Sequence, residues 1–179
     1  MNWKMRGRIF GLALLSVNFV AANAGYSVGP AQAGSSDITQ VSQNRLSAIA
    51  SAEGEARVHL SKFLDFALDK KGRARPNAAL KIVLDGYGGD AETIWVTPFA
   101  KRDGRYVGLL ANEPKSNDAK HVGDPIAFDP AQVRDWYFFG DDGKMYGSYT
   151  TRAMLPEMAP RTARQITQIL SAKPAPSHW

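Results

Sequence analysis

ALKIVLDGYGGDAETIWVTPFAKRDGRYVGLLA, residues 79–111, decides the fold. Three runs suited to strands are separated by turn sequences: ALKIVL at 79–84, ETIWVTPF at 92–99 and YVGLLA at 106–111. Alternation of apolar and polar residues is typical of a half-buried strand, and Asp103-Gly104 is a strong hairpin signal between two such runs. The stretch therefore predicts a three-stranded antiparallel meander.

Helical periodicity precedes this meander, and further strands and a helix follow it. Apolar residues that recur at helical spacings predict a helix over residues 41–70. Apolar and aromatic runs predict strands at 126–128, 133–139 and 145–151, and a last helix over 160–170. This order predicts an α+β domain: an antiparallel sheet of about five to six strands, with an N-terminal helix and a C-terminal helix packed on one face.

The N-terminus has the pattern of a secretory signal. Three basic residues within the first eight precede the apolar run Ile9–Val20, and Ala22-Asn23-Ala24 supplies an A-x-A cleavage sequence. The run is short for a membrane span, which takes about 20 residues. Residues 1–24 are therefore predicted to be a signal peptide. Cleavage after Ala33 and an uncleaved anchor are the alternatives.

The remaining chain is divided by composition into three parts. Residues 25–40 are rich in Gly, Ser and Ala and are predicted to be a flexible lead-in. Residues 41–171 are predicted to form a single domain, and residues 172–179 a disordered tail. Export places this domain in the periplasm or outside the cell, without stable membrane insertion after cleavage.

Charge and cysteine content exclude several classes of function. The chain has 22 Lys and Arg and 17 Asp and Glu, and residues 1–24 hold three of the bases and none of the acids. The exported part therefore has 19 basic and 17 acidic residues and a net charge of +2. This charge does not indicate nucleic-acid binding, which would require clustered basic residues. The chain contains no cysteine, which excludes thiol catalysis and cysteine-based metal sites.

Motifs of common enzymes are missing from the sequence. It contains no G-x-S-x-G, no H-E-x-x-H and no P-loop, and its three histidines have no metal-ligand spacing. We therefore expect no metal, no cofactor and no catalytic residue of a known type. The chain is more consistent with a protein that is not an enzyme.

The predicted strands carry eight aromatic residues. They are Trp95, Tyr106, Trp136, Tyr137, Phe138, Phe139, Tyr146 and Tyr149. Alternating aromatic residues usually form a core, which is the favoured interpretation. The alternative is an aromatic-lined groove on the sheet, in which Trp and Tyr expose their polar tips to a ligand.

The order of several short motifs resembles the bacterial domain of unknown function 2314, the YegJ-like family. The resemblance covers residues 45–155 and rests on Lys81, Glu92-x-x-Trp95-Val96, Gly108-x-Leu110-x-Asn112-x-Pro114, Val122-Gly123-Asp124, Asp135-Trp136-x-Phe138 and Gly147-x-x-Thr150-x-Arg152. It implies a small α+β domain, often exported, without an established activity. The candidates for a shared binding site are Lys81, Glu92, Trp95, Asn112, Asp135, Trp136 and Arg152.

Two functions remain open from the residues. The first is a non-enzymatic binding, inhibitory or accessory protein of the bacterial envelope, which holds a protein or small ligand through its sheet face or the Asn112–Asp124 loop. The second is an envelope glycan or peptidoglycan hydrolase with Glu92 and Asp135 as its acid/base pair, which requires the two carboxylates to lie about 5–10 Å apart. The individual charges have a third explanation, in which Glu92 or Asp135 pairs with Lys81 or Arg152 to hold the sheet. Oligomeric state is left open.

Overall fold

A computed structural model describes residues 35–85, 91–115 and 117–179. The predicted signal peptide, residues 1–24, lies outside these ranges, as does most of the predicted lead-in. Within the described ranges, no helix is long and apolar enough to cross a membrane.

Two helices occupy the region where one was predicted. Helix α1 spans Ser35–Val58 and helix α2 spans Leu60–Ala67, with His59 between them. The helical region therefore begins inside the predicted lead-in, at residue 35, and ends three residues short of residue 70. Gly54 does not interrupt α1, because a glycine within a helix costs only about 1 kcal/mol relative to alanine.

Six strands form one sheet with the order β4-β3-β2-β1-β5-β6, and every neighbouring pair is antiparallel. Their bounds are Ala78–Asp85 (β1), Ala91–Arg102 (β2), Arg105–Leu110 (β3), Pro125–Phe128 (β4), Val133–Phe139 (β5) and Met145–Gly147 (β6). The α+β class and the meander formed by β1, β2 and β3 are confirmed. Pro130–Gln132 forms a 3-10 turn immediately before β5, and β5 is the strand predicted over 133–139.

One face of the sheet forms the core with the first two helices. Leu80 lies opposite both Val96 and Trp136, and all three side chains are buried. The Trp136 indole stacks on Phe63 of α2 with ring centroids 4.8 Å apart. Its Nε1–H donates to the Ala56 carbonyl of α1 at 2.9 Å, which satisfies the polar atom of a buried indole. Burying a side chain such as Phe63 stabilises a fold by about 1.5–3 kcal/mol.

The other face begins one residue along β1. Lys81 lies opposite Trp95 on β2 and opposite Asp135 on β5. Because directly opposed residues of antiparallel strands share a face, all three face away from Leu80. The register between β1 and β5 shifts after Lys81, since Ile82 pairs with Val133, and Arg134 is the extra residue of this bulge.

Residues 148–151 correct the predicted boundary of the last strand. Strand β6 ends at Gly147, and helix α3 spans Tyr149–Met154 where the strand was expected to continue to residue 151. Gly147 and Ser148 have φ values of 75° and 53°, which turn the chain out of the sheet. The short helix is then positioned beside β5.

The C-terminal region differs from the predicted disordered tail. Helix α4 spans Pro160–Ile169, as predicted, but buries none of its residues. We call residues 170–179 the C-terminal strap. It follows the edge of β6, where Ser171 N–H donates to the Met145 carbonyl at 2.9 Å and Gly147 N–H donates to the Pro174 carbonyl at 2.7 Å.

Trp179 explains why the strap is placed on the domain. Its ring lies 5.6 Å from that of Trp136 and 5.5 Å from that of Phe138, measured between centroids. Composition alone favours disorder in a short Pro-rich and Ser-rich segment, but an aromatic anchor and an unpaired strand edge favour binding to the sheet. Whether α1 and α4 share one face of the sheet stays a prediction.

Candidate functional site

Asp135 is a buried carboxylate that is saturated by protein donors. Its Oδ1 accepts from the backbone N–H of Trp136 at 2.8 Å and of Tyr149 at 3.1 Å. Its Oδ2 accepts from the backbone N–H of Thr150 at 2.8 Å and from the Thr150 hydroxyl at 2.7 Å. Tyr149 and Thr150 begin α3, so the carboxylate satisfies N–H groups that would otherwise be unpaired at the start of that helix.

Lys81 is connected to Asp135 through Thr150. The Lys81 ammonium donates to Thr150 Oγ1 at 3.0 Å, and that hydroxyl in turn donates to Asp135. Burial lowers the pKa of Lys81, while the negative charges of Asp135 and Glu53 act in the opposite direction. Burial raises the pKa of Asp135, and its hydrogen bonds to Thr150 and Trp136 oppose this.

The Thr150 hydroxyl has the neighbours of an activated nucleophile but not its accessibility. A hydroxyl beside an amine with a lowered pKa is a known arrangement for nucleophilic attack. Thr150 is 4% exposed, and its proton is directed to Asp135. The geometry therefore favours a structural network that joins β1, β5 and α3.

Trp95 and its neighbours form an aromatic strip on the face opposite the core. We call this surface the Trp95 face and define it by Lys81, Trp95, Thr97, Tyr137 and Phe139. The Lys81 ammonium lies 5.2 Å from the centroid of the Trp95 ring, within range of a cation–π interaction. Trp95 meets Tyr137 edge-on at 4.9 Å, and Tyr137 meets Phe139 edge-on at 6.0 Å. Trp95 and Phe139 are half-buried, whereas Tyr137 is buried.

Glu92 and Asn112 anchor the loop that follows β3. Asn112 Oδ1 accepts from the Trp95 backbone N–H at 3.2 Å, and the Ala111 N–H donates to the Trp95 carbonyl at 2.8 Å. Glu92 Oε2 accepts from the Lys115 backbone N–H at 2.7 Å. The loop therefore continues along β2 beyond the last paired residue of β3, and Asn112 helps to position the backbone that carries Trp95.

Glu92 and Asp135 do not converge as an acid/base pair. Glu92 lies opposite Leu84, on the core side of the alternation, whereas Asp135 lies opposite Lys81. The two positions are separated by three residues along β1, roughly 10 Å, and by two strand spacings, also roughly 10 Å. The pairing of these carboxylates for glycan hydrolysis is wrong, because the register directs them to opposite faces.

Trp136 and Arg152 serve the fold. Trp136 is fully buried on the core side and does not border the Trp95 face. Arg152 donates to four acceptors: the carbonyls of Gly147, Met145 and Ser171 and the Ser171 hydroxyl, at 2.8 to 3.2 Å. The guanidinium thus joins α3, β6 and the C-terminal strap.

The structure brings together the side chains of Lys81, Trp95 and Asp135 on one face, whereas Asn112 and Trp136 contact them through backbone N–H groups. Sequence reasoning did not select Tyr137 and Thr150 for the site. Thr150 was part of the motif Gly147-x-x-Thr150-x-Arg152. Tyr137 stands between Trp136 and Phe138, and because side chains alternate along a strand, this position indicated that Tyr137 faces away from the core. Among the described residues, no three His, Asp or Glu side chains are grouped so as to hold a metal ion.

Comparison with known proteins identifies the family. No curated protein and no solved structure matches the chain. The model of one family, described as an uncharacterized protein conserved in bacteria (DUF2314), matches residues 47–170. That range includes β1 through α4 and every candidate residue named above. The chain is therefore a member of the DUF2314 family.

Proposed function

We propose that this protein is an exported, non-enzymatic binding protein of the bacterial envelope that holds its partner on the Trp95 face. The observation that carries the proposal is the row of Trp95, Tyr137 and Phe139 on the face opposite the core. Aromatic rings combine a large contact area with few rotatable bonds, and binding surfaces are enriched in them for this reason. A half-buried Trp next to a lysine offers both an apolar and a charged contact.

The polar residues nearest this face support binding rather than catalysis. Asp135 accepts four hydrogen bonds from the protein, and the Thr150 hydroxyl bridges Asp135 and Lys81. Groups engaged in this way hold the surface in one shape, which reduces the ordering cost when a partner binds. The face is thus pre-organised for recognition.

The Asn112–Asp124 loop is the competing surface. Val122 at its tip is 57% exposed, and the loop is held by hydrogen bonds from His121 and Val122 to Glu113. An isolated exposed valine is common on protein surfaces. The loop therefore offers a smaller apolar contact than the half-buried rings of Trp95 and Phe139.

Affinity capture of the exported protein from its own cell envelope, followed by mass spectrometry, tests the proposal. The comparison uses Trp95→Ala and, as a control on the competing loop, Val122→Ser, both verified by circular dichroism to be folded. We expect one dominant partner that is lost with Trp95→Ala and retained with Val122→Ser. A partner retained by Trp95→Ala, or lost only with Val122→Ser, would contradict the assignment of the Trp95 face.

The same preparation tests export. N-terminal sequencing of the exported protein should give Gly25 as its first residue, or Gly34 if cleavage follows Ala33. Recovery of the chain only from the cytoplasm with an intact Met1 would contradict the envelope location.

A further inference from the structure

Among the described residues, the Lys81 ammonium has one hydrogen-bond acceptor. An ammonium carries three donors. Its recorded acceptor is Thr150 Oγ1 at 3.0 Å, a neutral oxygen, and its other recorded neighbour is the Trp95 ring. Burial removes water from this half-buried cation, and neither of these two neighbours carries an opposite charge.

The nearest carboxylates do not supply that charge directly. Both Asp135 and Glu53 attract Lys81 electrostatically. The oxygens of Asp135 are engaged with four protein donors, and Glu53 Oε2 lies 3.7 Å from Arg134 Nε. Within the described parts of the chain, Lys81 forms no ion pair.

We propose that Lys81 binds the anionic group, a carboxylate or a phosphate, of a ligand whose apolar part lies against Trp95. This inference rests on the proposed function and adds the chemical class of its ligand. An arriving anion would accept hydrogen bonds from the remaining ammonium N–H groups, and such charge-assisted hydrogen bonds are stronger than neutral ones. The adjacent ring would shield that bond from water and strengthen it.

The Trp95 face makes the two contacts geometrically compatible. Lys81 and Trp95 are direct cross-strand partners, and their side chains lie on the same face. One ligand on this face of the sheet can therefore contact the ammonium and the indole at the same time. Tyr137 supports the Trp95 ring from its edge and keeps it in place.

Nuclear magnetic resonance titration of the exported, ¹⁵N-labelled protein tests this inference. The probes are sodium glucuronate, inorganic phosphate and, as the neutral match to glucuronate, glucose. The signals are the indole N–H of Trp95 and the backbone N–H of Thr150, which report on the two neighbours of Lys81. We expect saturable shifts with at least one anion and none with glucose. A response to glucuronate alone identifies a carboxylate site, and a response to phosphate identifies a phosphate site.

Lys81→Met provides the decisive variant, since it retains the length of the side chain and removes the charge. We expect it to weaken anion binding by about tenfold or more, in line with the loss of a charged hydrogen bond. Lys62→Met removes an exposed lysine of α2 and should leave binding unchanged. Binding should also weaken as pH rises through the lowered pKa of Lys81, because only the ammonium attracts an anion.

Two outcomes of the titration would overturn the inference. One is the absence of any anion-dependent shift in the folded wild-type protein. The other is binding that Lys81→Met leaves intact while its spectrum remains that of a folded protein. A partner that is captured through Trp95 but is indifferent to Lys81→Met would also overturn this inference, and it would leave the proposed binding function standing.

Discussion

Asp135 and Thr150 are joined by two hydrogen bonds to one carboxylate oxygen, from the Thr150 backbone N–H at 2.8 Å and from its hydroxyl at 2.7 Å. The residues are 15 positions apart, and the bonds connect the bulge of β5 to the first turn of α3. Because Asp135 has no exposed surface, bulk water does not compete with its carboxylate for these donors.

Asp135→Ala should therefore destabilise the protein strongly. It leaves the N–H groups of Trp136, Tyr149 and Thr150 without their acceptor, and each buried unsatisfied group costs about 1–3 kcal/mol. We expect the free energy of unfolding, measured with urea, to fall by about 3 kcal/mol or more. Asp141→Ala, at an exposed turn position, should change it by less than about 0.5 kcal/mol. Equal effects of the two variants would show that the network does not stabilise the fold.

Gly147 is required by space as well as by backbone conformation. An added Cβ would lie 2.1 Å from the Trp136 carbonyl oxygen and 2.6 Å from an atom of its ring. Gly143 has a similar φ, 71° against 75°, but an added Cβ there would meet nothing within 4 Å. In both alanine variants the positive φ costs about 1 kcal/mol of stability. The difference in their free energies of unfolding therefore reports the steric clash of the Cβ at position 147 with Trp136. We expect Gly147→Ala to lose at least about 2 kcal/mol more than Gly143→Ala in thermal or urea unfolding. Equal losses would contradict the close approach of Gly147 to Trp136.

Arg152 should control how firmly the C-terminal strap is attached. Arg152→Met removes four donated hydrogen bonds, two of them to Ser171, and retains most of the side-chain volume. Hydrogen exchange at the N–H groups of Ser171 and Gly147, which both bond across the strap and β6, should accelerate by about tenfold or more. Arg161→Met, on the exposed side of α4, is the control and should leave both rates unchanged. Unchanged exchange in Arg152→Met would mean that Trp179 holds the strap without the guanidinium.

His121 and Glu113 should titrate as a pair. His121 Nδ1 lies 2.6 Å from Glu113 Oε1, and this hydrogen bond raises the pKa of His121 and lowers that of Glu113. The pair therefore adds to the free energy of unfolding at pH values between the lowered pKa of Glu113 and the raised pKa of His121. This stabilisation is lost as pH rises through the pKa of His121, and as pH falls through the pKa of Glu113. In Glu113→Gln, the ring titration of His121 followed by nuclear magnetic resonance should shift toward the ordinary value of about 6.5. Glu157→Gln, which removes the partner of Arg45, should leave it unchanged. A His121 midpoint that does not respond to Glu113→Gln would contradict the pairing.

Local patterns were sufficient for the strand meander and the fold class. Asp103 and Gly104 have φ values of 49° and 82°, the backbone that an Asp-Gly hairpin requires, and this turn depends on two adjacent residues. Alternation over 92–99, which is typical of a half-buried strand, agrees with the placement of Ile94 in the core and Trp95 on the other face. Of the aromatic residues, Trp136 and Phe138 lie in the core, as favoured, whereas Trp95 lies on the other face, and an aromatic ligand groove there stays a prediction.

Tertiary structure decided the fates of the individual polar residues and of the chain end. Periodicity states which side chains share a face, but it does not state which distant segment covers that face or which donors reach a carboxylate. Three of the four donors to Asp135 come from α3, the acceptors of Arg152 from β6 and the strap, and the ring contacts of Trp179 from β5 and α2. Each partnership joins segments that only the folded chain brings together, and its free energy comes from burial that exists only in the folded state. The sequence by itself determined an α+β domain built on an antiparallel meander, and the packing of its remaining segments decided which polar residues stabilise the fold and which remain on the Trp95 face.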